Sequence, residues 1–327
     1  MALFGSALTL IGLLVTTPAG SPTSPSAAAT FAQRLAAAFA HRDPAAAGAL
    51  FADDAVVTLV GERQEDRGRP QIVARIGARL TRYREPRLEV GRIWSGPDGD
   101  RGWSVVEFVF HARCLIGPVM DQAVAEHPVG VTGALVVEFN DRGLVQTLRQ
   151  YLDEVSIIGQ IDRALVPEAA SRVFRPIPAA PPAGGEEIRA ADTSAEASHL
   201  RVASGIWTAL NAHQVGRAMA PTASGYVYDD FAGPAALDRA ATRKLVARFL
   251  KAVPDIRFTS VLRFAAGDDV ISENIEYATF NGKAVTLHAL DVKRFRGTRV
   301  VREWQYANGA EVLGYLTGWA AAPLQVW

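Results

Sequence analysis

The same order of helices and strands is written twice along this chain, on either side of a stretch rich in proline and alanine. At 327 residues the length allows two domains of ordinary size, each burying its own core. From Pro167 to Ala197 the sequence reads PEAASRVFRPIPAAPPAGGEEIRAADTSAEA, with little periodicity, which is the composition of a semi-extended linker. The boundaries that follow are an N-terminal extension over 1–27, a first domain over 28–166, a linker over 167–196 and a second domain over 197–320.

The first half opens with Phe31, Leu35 and Phe39 on one helical stripe. Asp43-Pro44 reads as an N-cap followed by proline in the first turn of a short helix. Ala55, Val57 and Leu59 alternate as a strand, and Ile72, Ile76 and Leu80 mark a third helix after Pro70. Strands are expected over 88–94, 103–110, 131–139 and 144–151, the last two joined by a turn at Asn140-Asp141-Arg142-Gly143. The second half repeats the order. Val202, Ile206 and Leu210 mark a helix, a short piece follows at 215–219, Tyr226 to Tyr228 is a strand, and Ala241, Leu245 and Phe249 mark a third helix. Four strands then run over 256–264, 270–280, 285–295 and 299–306.

The two halves align as Val73-Ala74-Arg75 with Val246-Ala247-Arg248, as Val106-Glu107-Phe108 with Ile275-Glu276-Tyr277, and as Tyr151-x-Asp153 with Tyr306-x-Asn308. The first half carries an insertion from Arg113 to Gly130, with Cys114, Met120 and His127.

Lys+Arg and Asp+Glu both total 34, so no basic stripe points to nucleic acid or an anionic membrane. The lone Cys114 excludes a disulfide framework, and the six histidines show no ligand spacing for a metal. Ala2 to Val15 is an apolar run of signal-peptide length, with Thr17-Pro18-Ala19 as a small-residue cleavage site. It is too short to span a bilayer, and no Lys or Arg precedes it, which favours a cytoplasmic protein over an exported one.

Three helices followed by a long sheet, with the phrase Phe51-Ala52-Asp53-Asp54-Ala55-Val56, resemble nuclear transport factor 2-like folds. The second half resembles SnoaL-type polyketide cyclases in Val253-Pro254-Asp255-Ile256-Arg257-Phe258, His288-Ala289-Leu290-Asp291-Val292 and Val300-Val301-Arg302-Glu303-Trp304-Gln305-Tyr306. The resemblance implies an α+β fold of two cone-shaped domains, each with about three helices packed on a curled antiparallel sheet. It also implies a pocket for a small hydrophobic molecule between sheet and helices, and ring closure without metal or redox cofactor. Relatives often pair sheet against sheet, so the tandem copy implies an intrachain pseudo-dimer that leaves the protein a monomer.

The family's His and acidic pair falls on His288 and Glu303, with Tyr306, Trp304 and Asn308 beside them as binding residues. A two-residue turn at Gly297-Thr298 puts His288 on the face of Glu303 and Gln305; a three-residue loop with a bulge puts it with Trp304 and Tyr306. The first register is preferred, with Glu303 as base, His288 as its partner and Tyr306 as an oxyanion donor. Asp229-Asp230 reads as a solvated turn, with a place at the pocket mouth as the alternative, and Glu107 and Glu276 as strand-surface charge. In the first half Leu148 replaces Glu303 and Ala134 stands opposite His288, leaving Arg149, Tyr151 and Asp153 to bind a polar group. The expectation is therefore a cofactor-independent cyclase or isomerase acting on a carbonyl-containing small molecule. The alternatives are a non-catalytic binding or accessory protein, or an epoxide hydrolase.

Overall fold

The computed structural model describes residues 25–61, 65–116, 125–162, 175–179, 184–232, 236–280 and 282–311. The apolar run at 2–15, the cleavage site at 17–19, Met120 and much of the linker lie outside them. No helix of the described residues is long and apolar enough to cross a membrane.

The fold is α+β. The first lobe begins with α1 (Ala27–Ala40), capped by Ser26, which accepts from the Ala29 N–H and leaves Phe31, Ala32 and Leu35 buried. Asp43 caps α2 (Pro44–Gly48) by accepting from the Ala46 N–H. Strands β1 (Phe51–Leu59) and β2 (Glu65–Arg67) precede α3 (Arg69–Arg82), which buries Ile72, Ile76 and Leu80. The main strands are β3 (Tyr83–Ser95), β4 (Trp103–Ile116), β5 (Ala125–Phe139) and β6 (Val145–Leu152), followed by α4 (Glu154–Ile161). The described parts of the insertion, 113–116 and 125–130, extend the β4–β5 hairpin, with Arg113 opposite Pro128 and Cys114 opposite His127.

Part of the linker is structured. β7 (Glu187–Arg189) pairs parallel with β3 at the sheet edge. α5 (Ser194–Asn211) starts inside the expected linker, because Thr193 and Glu196 form a reciprocal capping box. The second lobe continues with α6 (Val215–Ala218), β8 (Thr222–Asp230), β9 (Leu237–Asp238), α7 (Arg239–Ala252), β10 (Arg257–Ala266), β11 (Asp269–Phe280), β12 (Lys283–Arg296) and β13 (Arg299–Ala307).

The sheet orders are β2-β1-β6-β5-β4-β3-β7 and β10-β11-β12-β13-β8-β9. Both are largely antiparallel, but β1 runs parallel to β6 and β8 parallel to β13. One face of each sheet carries helices. The other faces meet in a seam of Trp94, Val105, Ala134, Val136 and Tyr151 against Ile271, Leu290, Val292, Trp304 and Tyr306.

The seam repeats itself across the two lobes. Glu107, Ala134 and Tyr151 lie in register across β4, β5 and β6, as Glu273, Leu290 and Tyr306 do across β11, β12 and β13. Tyr151 donates to Glu273 (2.8 Å) and Tyr306 to Glu107 (2.5 Å), each reaching the opposite lobe. Glu107 therefore corresponds to Glu273, three residues from the Glu276 chosen on sequence, and Ala134 corresponds to Leu290 rather than His288. The same three-strand register equates His288 with Thr132.

Candidate functional site

The site is built by strand alternation. On β12, Leu290 and Val292 belong to the seam, while Leu287, Ala289 and Asp291 line a cavity on the opposite side, where Lys293 also points. The pairings carry this face across the sheet: Lys293 opposite Glu303, Asp291 opposite Gln305, Glu303 beside Tyr228, and Gln305 beside Asp230. Helices α5 and α7 close the other side with Ile206, Trp207, Leu210, Leu245, Val246 and Phe249. The space between is about 450 Å³, with a hydrocarbon roof over a polar floor.

The register explains where the sequence-based pair goes. The turn is indeed the two-residue one, with Arg296 opposite Arg299 and Phe295 opposite Val300. A bulge at Val301 then shifts the register, so Arg294 faces Arg302 and the parity reverses for the rest of the hairpin. His288 and Glu303 consequently lie on opposite faces of the sheet. His288 stands at the cavity rim, where Nδ1 meets Glu311 at 2.9 Å and its backbone N–H donates to the same carboxylate at 3.0 Å.

Glu303 does reach the cavity, but as an ion-paired group. Lys293 Nζ donates to Oε1 at 2.5 Å and Tyr226 OH to Oε2 at 2.8 Å. Trp304 and Tyr306 belong to the seam rather than to the cavity wall, Tyr306 being held on Glu107. Asn308 touches the rim and donates to the Val60 carbonyl (2.8 Å), so it ties the lobes together. In the first lobe Arg149 and Tyr151 are both committed to Glu273 across the seam. Asp153 caps α4, accepting from Ser156 and from the Gly309 N–H. None of these three lines the second-lobe cavity or its smaller first-lobe counterpart.

The cavity residues that sequence reading did not choose are Asp291, Glu276, Asp230, Lys293 and Tyr226. Burial pushes the Asp291 carboxyl up to about 7, against the pull of the Lys293 charge and with a push from Glu303. Its Oδ2 accepts from Asn274 Nδ2 at 2.9 Å. Burial, reinforced by the charges of Asp291, Glu311 and Asp230, pushes Glu276 up to about 8. Asp230 is pushed up to about 6 by burial, with the Ala232 N–H pulling the other way. Asp229-Asp230 is thus no solvated turn, and neither Glu107 nor Glu276 is a surface charge; their exposures are 0% and 8%.

The first lobe serves as an internal control. In the common register Asp230, Glu276, Asp291, Lys293 and Glu303 correspond to Leu59, Phe110, Leu135, Val137 and Leu148. All five counterparts are buried hydrocarbon, and the cavity there shrinks to about 80 Å³. The same sheet therefore forms without any of the five polar groups. Their presence in the second lobe costs desolvation that the fold does not require.

That cost has a pH signature. Three carboxyls hold their protons more tightly in the folded chain than in the unfolded one, where they ionise near 4. Between about pH 4 and 8 the folded state binds the excess protons, so its stability falls as pH rises. The melting temperature should drop by several degrees from about pH 5.5 to 9, and Glu276→Gln should flatten the fall. A melting temperature that climbs over this range in a calorimetric series would contradict the buried, protonated floor.

The sequence profile of the SnoaL-like domain matches the chain twice, over residues 32–147 and 203–303. No curated protein sequence matches it. Among solved structures, AclR from Streptomyces galilaeus is 22% identical, with 38% of this chain and 99% of that one covered at a TM-score of 0.35. IdmH from Streptomyces antibioticus is 17% identical, with 36% and 96% covered at a TM-score of 0.32. A SnoaL-like protein from Jannaschia sp. CCS1 is 9% identical, with 40% and 99% covered at a TM-score of 0.37.

Proposed function

This chain belongs to the SnoaL-like family, whose domain it contains twice, and from that premise we propose that its second lobe is a cofactor-independent acid/base enzyme. Its substrate is a hydrophobic, carbonyl-containing small molecule, and its reaction a ring closure or isomerisation. One observation carries the reading: a carboxyl pushed to about 7, that of Asp291, lines an apolar cavity whose polar floor the sister lobe has replaced by hydrocarbon.

Such a carboxyl has the proton affinity that general-base work near neutral pH requires. Ionised Asp291 removes a proton from a carbon beside a carbonyl and becomes a carboxylic acid. The C–H electron pair moves into an enolate, and the carbonyl oxygen takes the negative charge. The enolate carbon attacks a second carbonyl of the same molecule, forming the C–C bond. That second oxygen recovers the proton from Asp291, so closure is redox-neutral. Isomerisation returns the proton to another carbon instead. Lys293 supplies positive charge near the developing oxyanion, and Glu303 with Tyr226 fixes its ammonium in place.

The natural substrate is not needed for a test. Nitrobenzisoxazole opens when a base removes its ring C–H proton, the N–O bond breaking to give a coloured cyanophenolate. Its turnover by the full chain should follow the ionisation of one group near pH 7, rising with pH. A non-catalytic binder would take up the probe without turning it over. A rate no greater than that of free carboxylate, or one flat from about pH 5 to 9, would establish the binder instead.

A further inference from the structure

Glu276 is the cavity group that proton transfer leaves without a task. It stands on β11 between Phe258 of β10 and Leu287 of β12, lines the cavity and is 8% exposed. Each neighbouring carboxyl has its own company. Glu303 holds Lys293 and Tyr226, Glu311 holds His288, Asp291 holds Asn274, and Asp230 accepts from the Ala232 N–H. No donor or cation among the described residues meets the Glu276 side chain, and the charges acting on it, from Asp291, Glu311 and Asp230, are all negative. The fold has no use for an acid here, since Phe110 fills the equivalent place in the first lobe.

The surroundings say what would satisfy it. Phe258, beside Glu276, has its ring 5.4 Å from that of Trp207. Trp207 in turn receives Lys293 Nζ at 4.6 Å over its ring, so this aromatic wall already holds one cation. Asp291 lies four residues along β12 from the partner of Glu276, about 13 Å at ordinary strand rise. One extended molecule can touch both ends.

We propose that the cavity binds a ligand bearing a cationic amine, seated between Glu276 and the aromatic pair Trp207 and Phe258. The ammonium supplies the positive charge that this acidic end lacks, and the ring faces replace part of its hydration. The inference goes beyond the proton-transfer reading and stands without it, because it concerns charge selection rather than turnover.

Tryptamine and tryptophol, which differ in ammonium against hydroxyl on the same frame, are the probes. Calorimetric titration of the full chain at about pH 7 should show tryptamine binding at least about tenfold tighter, a difference near 1.4 kcal/mol. Glu276→Gln should bring the two within about twofold, with an unliganded melting temperature no lower than that of the parent. Asp291→Asn should keep the preference, so loss of nitrobenzisoxazole turnover and loss of amine selection are read separately. Tryptophol binding as tightly as tryptamine, which needs no variant to measure, would overturn the proposal. So would an amine preference that survives Glu276→Gln.

Discussion

Asp291→Asn is expected to lower nitrobenzisoxazole turnover by about 10²- to 10⁴-fold, the range a positioned general base contributes. Asparagine keeps the shape of the side chain and an oxygen that can accept from Asn274. It leaves the Lys293–Glu303 pair and its Tyr226 bond in place. What it removes is the one proton-accepting site pushed to about 7 on the central part of the floor. Stability should move the opposite way. The carboxyl is disfavoured in its charged form by burial, so its removal should raise the melting temperature above about pH 7. Lost turnover with gained stability separates a functional acid from a structural one, whose removal would lower both. Glu303→Gln is the informative companion, because it strips Lys293 of its partner and should disturb packing as well as rate. Turnover within twofold of the parent in Asp291→Asn would move the base elsewhere, with Glu303 the next to examine.

Much of this architecture was open to reading from the sequence, and the reasons are local. Apolar stripes such as Phe31-Leu35-Phe39 and Ile72-Ile76-Leu80 need only a helix's own periodicity, and both are buried as expected. The Asp43-Pro44 cap and the Asn140–Gly143 turn are equally local, the latter closed by the Asn140 N–H donating to Leu144 O. The site was harder because it depends on parity. A single extra residue, Val301, turns the odd pairing at the hairpin tip into an even one, and every assignment beyond it changes face. The polar face of β12 carried a second ambiguity. Asp291 and Lys293 alternate with Leu290 and Val292, which is the pattern of a strand with one solvated side. Here both sides are covered, one by helices and one by the other sheet, so alternation separates cavity from seam rather than core from water. The usable signal lay in the tandem copy. Once Tyr151 and Tyr306 are matched, counting across the strands turns Leu135, Val137 and Leu148 into the hydrocarbon counterparts of Asp291, Lys293 and Glu303.

The seam yields the other large effect: Glu273→Ala should destabilise the folded chain by about 3–5 kcal/mol. Glu273 is 1% exposed and takes two bonds from Arg149, at 2.5 Å each, and one from Tyr151 OH at 2.8 Å. Alanine leaves the guanidinium, stacked 4.4 Å over Trp103, and the buried phenol facing each other without their acceptor. The loss therefore combines the attraction with the cost of stranding both partners. Removing the charges together is a different experiment. Glu273→Leu with Arg149→Met should recover much of the stability, because the pair's own desolvation cost disappears with it. The mirrored group gives a contrast within one molecule. Glu107 has Tyr306 at 2.5 Å and the Arg92 backbone N–H at 3.3 Å but the Arg92 guanidinium only at 3.9 Å, and burial raises its proton affinity, so Glu107→Gln should cost less than Glu273→Ala. Urea denaturation followed by tryptophan fluorescence reads both, with Trp94 and Trp304 in the seam reporting its opening. If Glu273→Ala left the denaturation curve where it was, the two sheets would be folding independently, and the shared seam could not be what holds the second lobe's cavity in shape.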